Sequence, residues 1–511
     1  MVHQARRPRR WYWPGILAAL SGVYLLSRLW QNYDNPLFID EGVYLWFAES
    51  TLNGDLVRGF GEGKPLIGWI IALPLALGVD PIWSARLPHI LAGLIGLLAA
   101  MALAQNLAGR GAALLTGALS LLLPALLFHE RMATPDIFMG ALGALSLWLA
   151  LQSFRRRQQW WALASGVALI GAVLAKSPVG FFFYLGPLLF FGAAWVEGQR
   201  PAWRRLALLY ALPLLFAAAV FVIVGLRVLA GAYPPGFGLH EVFAKTQGDV
   251  DFRATIQENL VVLAAWLQAS GNWLFALFFV IGGVLAFSRR RPHLVVLAVL
   301  VVAWFVSMTV TAASMFPERY LTPVLYLATV VAAWGMTESA LALGNWGQAH
   351  PTQWNVASGI LAGSMLAVLT AFMAPAALDR IVLTPTDLAQ IEQEGLLAAA
   401  GYLAPRLPAE DAQVILVHVG DYTRLKAYLP PTLRGRVRQV HLVQRQSRDV
   451  NAQITYVADW AQAAVTYVVV ESAANFGPAW QASFPDAQLV AEFPIIGANY
   501  PTQVWRLGDR R

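Results

Sequence analysis

Eleven stretches of this chain are apolar over enough residues to cross roughly 30 Å of hydrocarbon as helices. They fall at about residues 11–30, 84–108, 112–128, 137–154, 160–175, 179–196, 205–230, 259–287, 293–314, 320–337 and 353–375. A further apolar run, Leu66 to Val79, is short for a span and contains Pro74, so it reads as an interfacial or re-entrant helix. The composition fits: of 511 residues, 58% are hydrophobic and 13% charged, with a mean hydropathy of +0.55. A soluble domain carries roughly a quarter charged residues. Disorder is excluded by 26 Phe, 20 Trp and 15 Tyr, and the absence of Cys rules out disulfides, thiolate catalysis, iron–sulfur clusters and Cys zinc sites.

The arginines orient these stretches. With a cytoplasmic N-terminus, the inner loops hold Arg6, Arg7, Arg9 and Arg10, then Arg110, Arg155 to Arg157, Arg200, Arg204 and Arg205, and Arg289 to Arg291. Every tight basic cluster then lies inside, as the positive-inside rule requires. The inner loop near 338–352 alone lacks Lys and Arg. This distribution accounts for the net charge of +7 with no nucleic-acid partner. The basic start before an apolar stretch resembles a secretory signal, but no small-residue cleavage site follows Trp30, so an uncleaved first helix is expected.

Beyond Ala376 the pattern becomes soluble. Short β-rich runs at Val414 to Val419, Val437 to Val443, Val465 to Val470, Leu489 to Ile496 and Gln503 to Leu507 alternate with helical stretches such as Pro385 to Tyr402. The expected organisation is a membrane part, 1–376, and an extracytoplasmic α/β domain, 377–511. A first outer loop, 31–83, carries two amphipathic helices, near Asp40 to Glu49 and Lys64 to Val79. The C-terminal part has no G-x-G-x-x-G, P-loop or Cys/His metal spacing.

Ionisable groups at membrane depth are costly and point to function. The outer rim collects Asp40, Glu41, Glu62, Lys64, Arg86, Arg131, Asp136, Lys176, His240, Lys245, Glu318 and Arg319. Such a mixed set suits group transfer from a phosphorylated carrier. A carboxylate takes the acceptor's proton, Lys and Arg stabilise the departing phosphate, and a divalent metal could share that work. Asp40 and Glu41 are the base candidates, and Lys64 and Lys245 the phosphate candidates.

The ordered segments IDEGVYLWFAESTLNGDL, GKPLIGW, WSARLP, ERMATPD, LAKSPVG and FPERYLTP resemble the bacterial GT-C glycosyltransferases of the aminoarabinose transferase and protein O-mannosyltransferase superfamily, over roughly residues 10 to 340. The resemblance implies a GT-C fold, a polyprenyl-phosphate-sugar donor, an acceptor outside the cytoplasmic membrane and inversion at the anomeric carbon. By position, it implies that Asp40 is the base and that Lys64, of the Lys-Pro motif, meets the lipid-linked phosphate. Arg131 joins the phosphate set, and Arg86, Asp136, Lys176 and Arg319 the substrate set. In the aminoarabinose transferases a metal-binding glutamate directly precedes that lysine. Here Gly63 occupies its place and Glu62 stands one residue earlier, leaving Glu62 and His240 as the metal candidates. Lys245 replaces an arginine, keeping the charge and losing the bidentate fork.

Each residue also has a simpler reading. Asp40 and Glu41 suit the first turn of a helix, Lys64 suits snorkelling, and Arg131 with Asp136, or Glu318 with Arg319, suit structural pairs. Lys176 suits a helix end and His240 an ordinary loop. The competing functional class is a lipid-linked sugar flippase or other membrane transporter, which predicts inverted halves with interrupted helices. No such symmetry is visible in the sequence. A membrane scaffold whose outer domain binds a partner does not need the dispersed charges.

Overall fold

The computed structural model describes residues 12–32, 37, 39–56, 59, 63–156, 158–177, 179–199, 201–229, 252–268, 272–311, 318–345, 351–381, 394–409, 412–416, 425–439, 465–470, 482–493 and 501–507. The protein is predominantly helical. The helices are α1 Tyr12–Leu29, α2 Ile39–Leu52, α3 Pro65–Ala76, α4 Pro81–Ala108, α5 Arg110–Leu122, α6 Pro124–Glu130, α7 Pro135–Arg156 and α8 Gln159–Ala175. They continue with α9 Leu185–Val196, α10 Trp203–Leu229, α11 Phe252–Gln268, α12 Asn272–Ser288, α13 Pro292–Thr311, α14 Thr322–Asn345, α15 Pro351–Ile381 and α16 Glu394–Leu403. Prolines open many of them: at the first helical position the fixed φ is already helical and the missing N–H would have had no partner.

Among the described residues, six helices are long and apolar enough to cross a membrane, or up to eight if each bent pair is one span. The chain is a multi-pass membrane protein. Stretch 112–128, read as one continuous crossing, is broken in the structure: α5 and α6 meet at a 65° bend. Pro124 explains it, because its ring disfavours helical backbone at the preceding residue, and Leu123 adopts φ −62°, ψ 113°. Stretch 259–287 likewise divides into α11 and α12. Helix α3 contains no ionisable residue and is apolar around its circumference, with Ile67 and Ile71 buried and Leu73 exposed.

The chain groups into two compact units. The first comprises 1–30, 89–131 and 135–381, and the second 31–88, 132–134 and 382–511. In the second, strands β1 Gln413–Leu416, β2 Val437–Gln439, β3 Thr466–Val470, β4 Gln488–Phe493 and β5 Thr502–Leu507 form one sheet in the order β2-β1-β3-β5-β4. β1 is parallel to β2 and β3, while β5 is antiparallel to β3 and β4. Central β3 is buried along its length, so its β-branched run packs on both faces. Leu396, Ala399 and Leu403 of α16 join Leu425, Leu429, Val414, Tyr467 and Val504 in the core of this sheet.

Candidate active site

In the second unit, two adjacent carboxylates open α2. Asp40 is half-buried, and Tyr44, one turn on, brings its Oη to 3.5 Å from Asp40 Oδ2. Glu41 is fully buried and locked. Arg86 Nε donates to its Oε1 at 3.0 Å and Arg86 Nη2 to its Oε2 at 2.8 Å, while the Ala133 N–H donates to Oε1 at 2.8 Å. Arg86, also fully buried, donates a further bond to the Asn32 carbonyl. A bidentate pair with an added backbone donor is the geometry that repays desolvation of two charges. Glu41 and Arg86 therefore fix α2 to the start of α4 and to 132–134.

Lys64 stands immediately before α3, its Nζ 5.2 Å from the Tyr44 ring centroid, close enough for a cation–π contact. One tyrosine thus touches both a carboxylate and an ammonium. The turn that presents Lys64 depends on glycine: Gly63 is buried with φ +70°, a left-handed conformation that side chains with a Cβ rarely adopt. Lys64 N–H bonds the Gly59 carbonyl at 2.8 Å, and a Cβ on Gly59 would lie 2.7 Å from Pro65 Cα. Gly63 offers no carboxylate at the position before Lys64. Among the described residues no group of three or more His, Asp or Glu could hold a metal ion. Glu62, His240 and Lys245 lie outside the described residues.

In the first unit, Asp136 occupies the first turn of α7 and is 1% exposed, with Lys176 Nζ 2.7 Å from its Oδ1. Its Oδ2 has no hydrogen-bond partner among the described residues. Lys176 follows the end of α8 and also lies 4.1 Å from the Tyr320 ring centroid, with the Arg319 guanidinium 5.2 Å from the same ring. The 3-10 turn Glu318–Leu321 that carries them is held by Trp304 Nε1 donating to the Tyr320 carbonyl at 2.7 Å. Asp136, Lys176, Tyr320 and Arg319, drawn from three separate sequence segments, form one cluster. Arg131, buried at the end of α6, donates from Nη2 to the Trp30 carbonyl at 2.7 Å.

Two ionisable residues that sequence reasoning assigned no role form a second buried pair. Arg28 Nη2 lies 2.7 Å from Glu130 Oε2, and Tyr326 Oη donates to Glu130 Oε1 at 2.6 Å. The signal was present, since Arg28 is the only charged residue in the first apolar stretch and intramembrane charges mark function or a fixed contact. Glu130 immediately precedes Arg131, so the pair anchors the helix end that carries it.

The helical part, with its bent pair α5–α6, and the C-terminal mixed sheet share the GT-C glycosyltransferase fold of solved structures. Residues 62–225 match the family model described as dolichyl-phosphate-mannose-protein mannosyltransferase. Among solved structures, the chain is similar to ArnT from Cupriavidus metallidurans in the apo state, with a TM-score of 0.65 and 19% identity over 97% of this chain and 98% of that one. ArnT bound to undecaprenyl phosphate gives 0.63 at 19% identity, over 98% of each chain. The Archaeoglobus fulgidus oligosaccharyltransferase in complex with Zn and sulfate gives 0.52 at 11% identity, over 89% of this chain and 67% of that one. The arabinofuranosyltransferase AftD from Mycobacteria gives 0.52 at 16% identity, over 97% of this chain and 40% of that one. No curated protein is significantly similar in sequence. The resemblance carried by the ordered motifs is borne out by the family match and by the shared fold.

Proposed function

We propose that the protein is an inverting glycosyltransferase that moves a hexose or pentose from a polyprenyl-phosphate carrier to a hydroxyl or amine of a lipid, glycan or protein. It works at the outer face of the cytoplasmic membrane, with the C-terminal α/β domain extracytoplasmic. The observation that carries this reading is Tyr44, which touches both Asp40 and Lys64 beside the buried Glu41–Arg86 clamp. Asp40 takes the acceptor proton as the new bond forms at the anomeric carbon. The bond from that carbon to the phosphate oxygen breaks, and the carrier leaves as polyprenyl phosphate. Lys64, with Lys245, stabilises the charge gathering on that phosphate. Attack opposite the leaving oxygen inverts the centre.

Glu41 and Arg86 are positioning residues here, because their hydrogen-bonding capacity is spent on each other and on backbone. Asp136 keeps a buried carboxylate oxygen directed at no protein donor among the described residues, which suits a sugar hydroxyl, while Lys176 and Arg319 serve the donor. Gly63 itself supplies no metal ligand beside Lys64. Glu62 and His240 are the residues to vary if activity lost in EDTA returns with a divalent cation.

Full-length protein in detergent, given a polyprenyl-phosphate sugar, should release free polyprenyl phosphate in an acceptor-dependent way. Asp40→Asn should reduce that release by about 10²–10⁴-fold, the usual range for removing a general base. No release from wild type under any acceptor mixture would instead favour the transporter class.

A further inference from the structure

The first unit carries a cavity used by none of these roles. It is a half-open cleft of about 360 Å³, lined by Arg155 at the end of α7, Glu197 after α9, and Arg289, Arg290, Arg291 and His293 around the connection between α12 and α13. Four arginines thus line it with a single acidic residue, Glu197, which already meets His293 Nδ1 at 3.0 Å. The volume lies in the ~300–1,000 Å³ range of small-ligand sites. A positive-inside bias alone needs arginines anywhere in the loops and does not require them to line one cavity.

Three of the arginine side chains have partners. Arg155 Nη1 donates to the Asn106 carbonyl at 3.0 Å, Arg289 pairs with Glu338 of α14, and Arg291 lies 5.9 Å from the Trp334 ring centroid. Arg290 has φ +53° at the end of α12, where the Arg291 N–H reaches back to the Ala286 carbonyl at 2.8 Å. Glycine is the usual residue at such a helix end. An arginine with this left-handed backbone lines the cavity, the kind of outlier that points to a ligand.

An apolar track leads to the site. On α12, Leu277, Val280, Val284 and Phe287 share one face and are 46%, 57%, 62% and 75% exposed, and that face ends less than one turn before Arg290. We propose that this cavity binds the phosphate of an anionic phospholipid, with an acyl chain along the α12 face. Basic pockets between membrane helices recognise such headgroups through charge-assisted hydrogen bonds.

The test uses full-length protein, delipidated in mild detergent and examined by native mass spectrometry with phosphatidylglycerol or phosphatidylethanolamine. Wild type should retain phosphatidylglycerol preferentially. Arg290→Gly suits the left-handed backbone, so its lipid-free Tm should be unchanged or higher, while phosphatidylglycerol binds at least about tenfold more weakly. Arg110→Gln, outside the cavity, should leave binding unchanged. Equal retention by wild type and Arg290→Gly, or equal losses from Arg290→Gly and Arg110→Gln, would overturn the site. Inorganic phosphate that raises the Tm as much as phosphatidylglycerol does, and displaces it, would show a soluble-phosphate site and overturn the lipid assignment.

Discussion

Asp40 and Glu41 are chemically near-identical neighbours with opposite surroundings, and their variants should separate cleanly. Asp40→Asn removes a half-buried carboxylate that the proposed reaction needs, so transfer should be lost while the Tm stays within about a degree of wild type. Glu41→Gln keeps the shape but leaves the Arg86 guanidinium, 0% exposed, without its counter-charge. Breaking a buried pair in this way costs about 3–5 kcal/mol, which should appear as a lowered Tm and poor recovery of folded protein. The reverse pattern would exchange the two roles. Residue type and order were enough to single out this acidic pair, Lys64 and Arg86. They could not show which acid is spent on structure, because Arg86 lies 45 positions from Glu41 and its preference for Glu41 depends on packing. Arg28 and Glu130, 102 positions apart, were hidden for the same reason, although Arg28 already stood out as a lone charge in an apolar stretch.

Helix positions were readable because membrane spans announce themselves by length and apolarity, and all five expected strand runs correspond to described strands. The breaks and the close approaches were less legible. Pro124 was visible as a residue, but a proline in an apolar run kinks or ends a helix depending on whether its neighbours can satisfy the freed backbone groups. Helices α12 and α14 meet through Gly282 and Gly335, and nothing in sequence pairs two glycines so far apart. A Cβ on Gly335 would stand 2.7 Å from the Gly282 nitrogen and closer still to the Phe278 carbonyl oxygen. Small residues at such crossings let backbones pack directly, so the larger side chain must force the helices apart. Gly335→Val should therefore destabilise by about 1–3 kcal/mol or more, measured as a fall in Tm in detergent. Gly363→Val, with open space around it, should change it little. Equal Tm values for Gly335→Val and wild type would show that α12 and α14 do not pack this closely.

At the scale of the whole molecule, hydropathy assigns residues to lipid or water, but it cannot say which water-facing segments fold together. The structure groups the first loop with the C-terminal sheet through contacts between remote positions. Lys426 Nζ meets Glu49 Oε1 at 2.8 Å, Arg434 Nη2 lies 3.5 Å from Asp80 Oδ2, and the Leu37 N–H donates to Tyr428 Oη at 2.7 Å. Their sequence separations run from 354 to 391 residues, beyond the reach of any local pattern. The proposed orientation follows from the arginine clusters alone, and the absence of native Cys makes it directly testable, since one introduced thiol is the only thiol in the chain. Asp486→Cys sits in an exposed turn before β4, and Gln199→Cys in an exposed turn after α9, beside the arginines at 200, 204 and 205. In intact spheroplasts a membrane-impermeant maleimide should label Asp486→Cys and spare Gln199→Cys, and permeabilisation should make both react. Labelling of Gln199→Cys with protection of Asp486→Cys would invert the topology. It would place Asp40 and Lys64, grouped with the sheet in one compact unit, on the side opposite to the proposed transfer. The positive charge would then lie outside, against the bias that governs insertion of short loops.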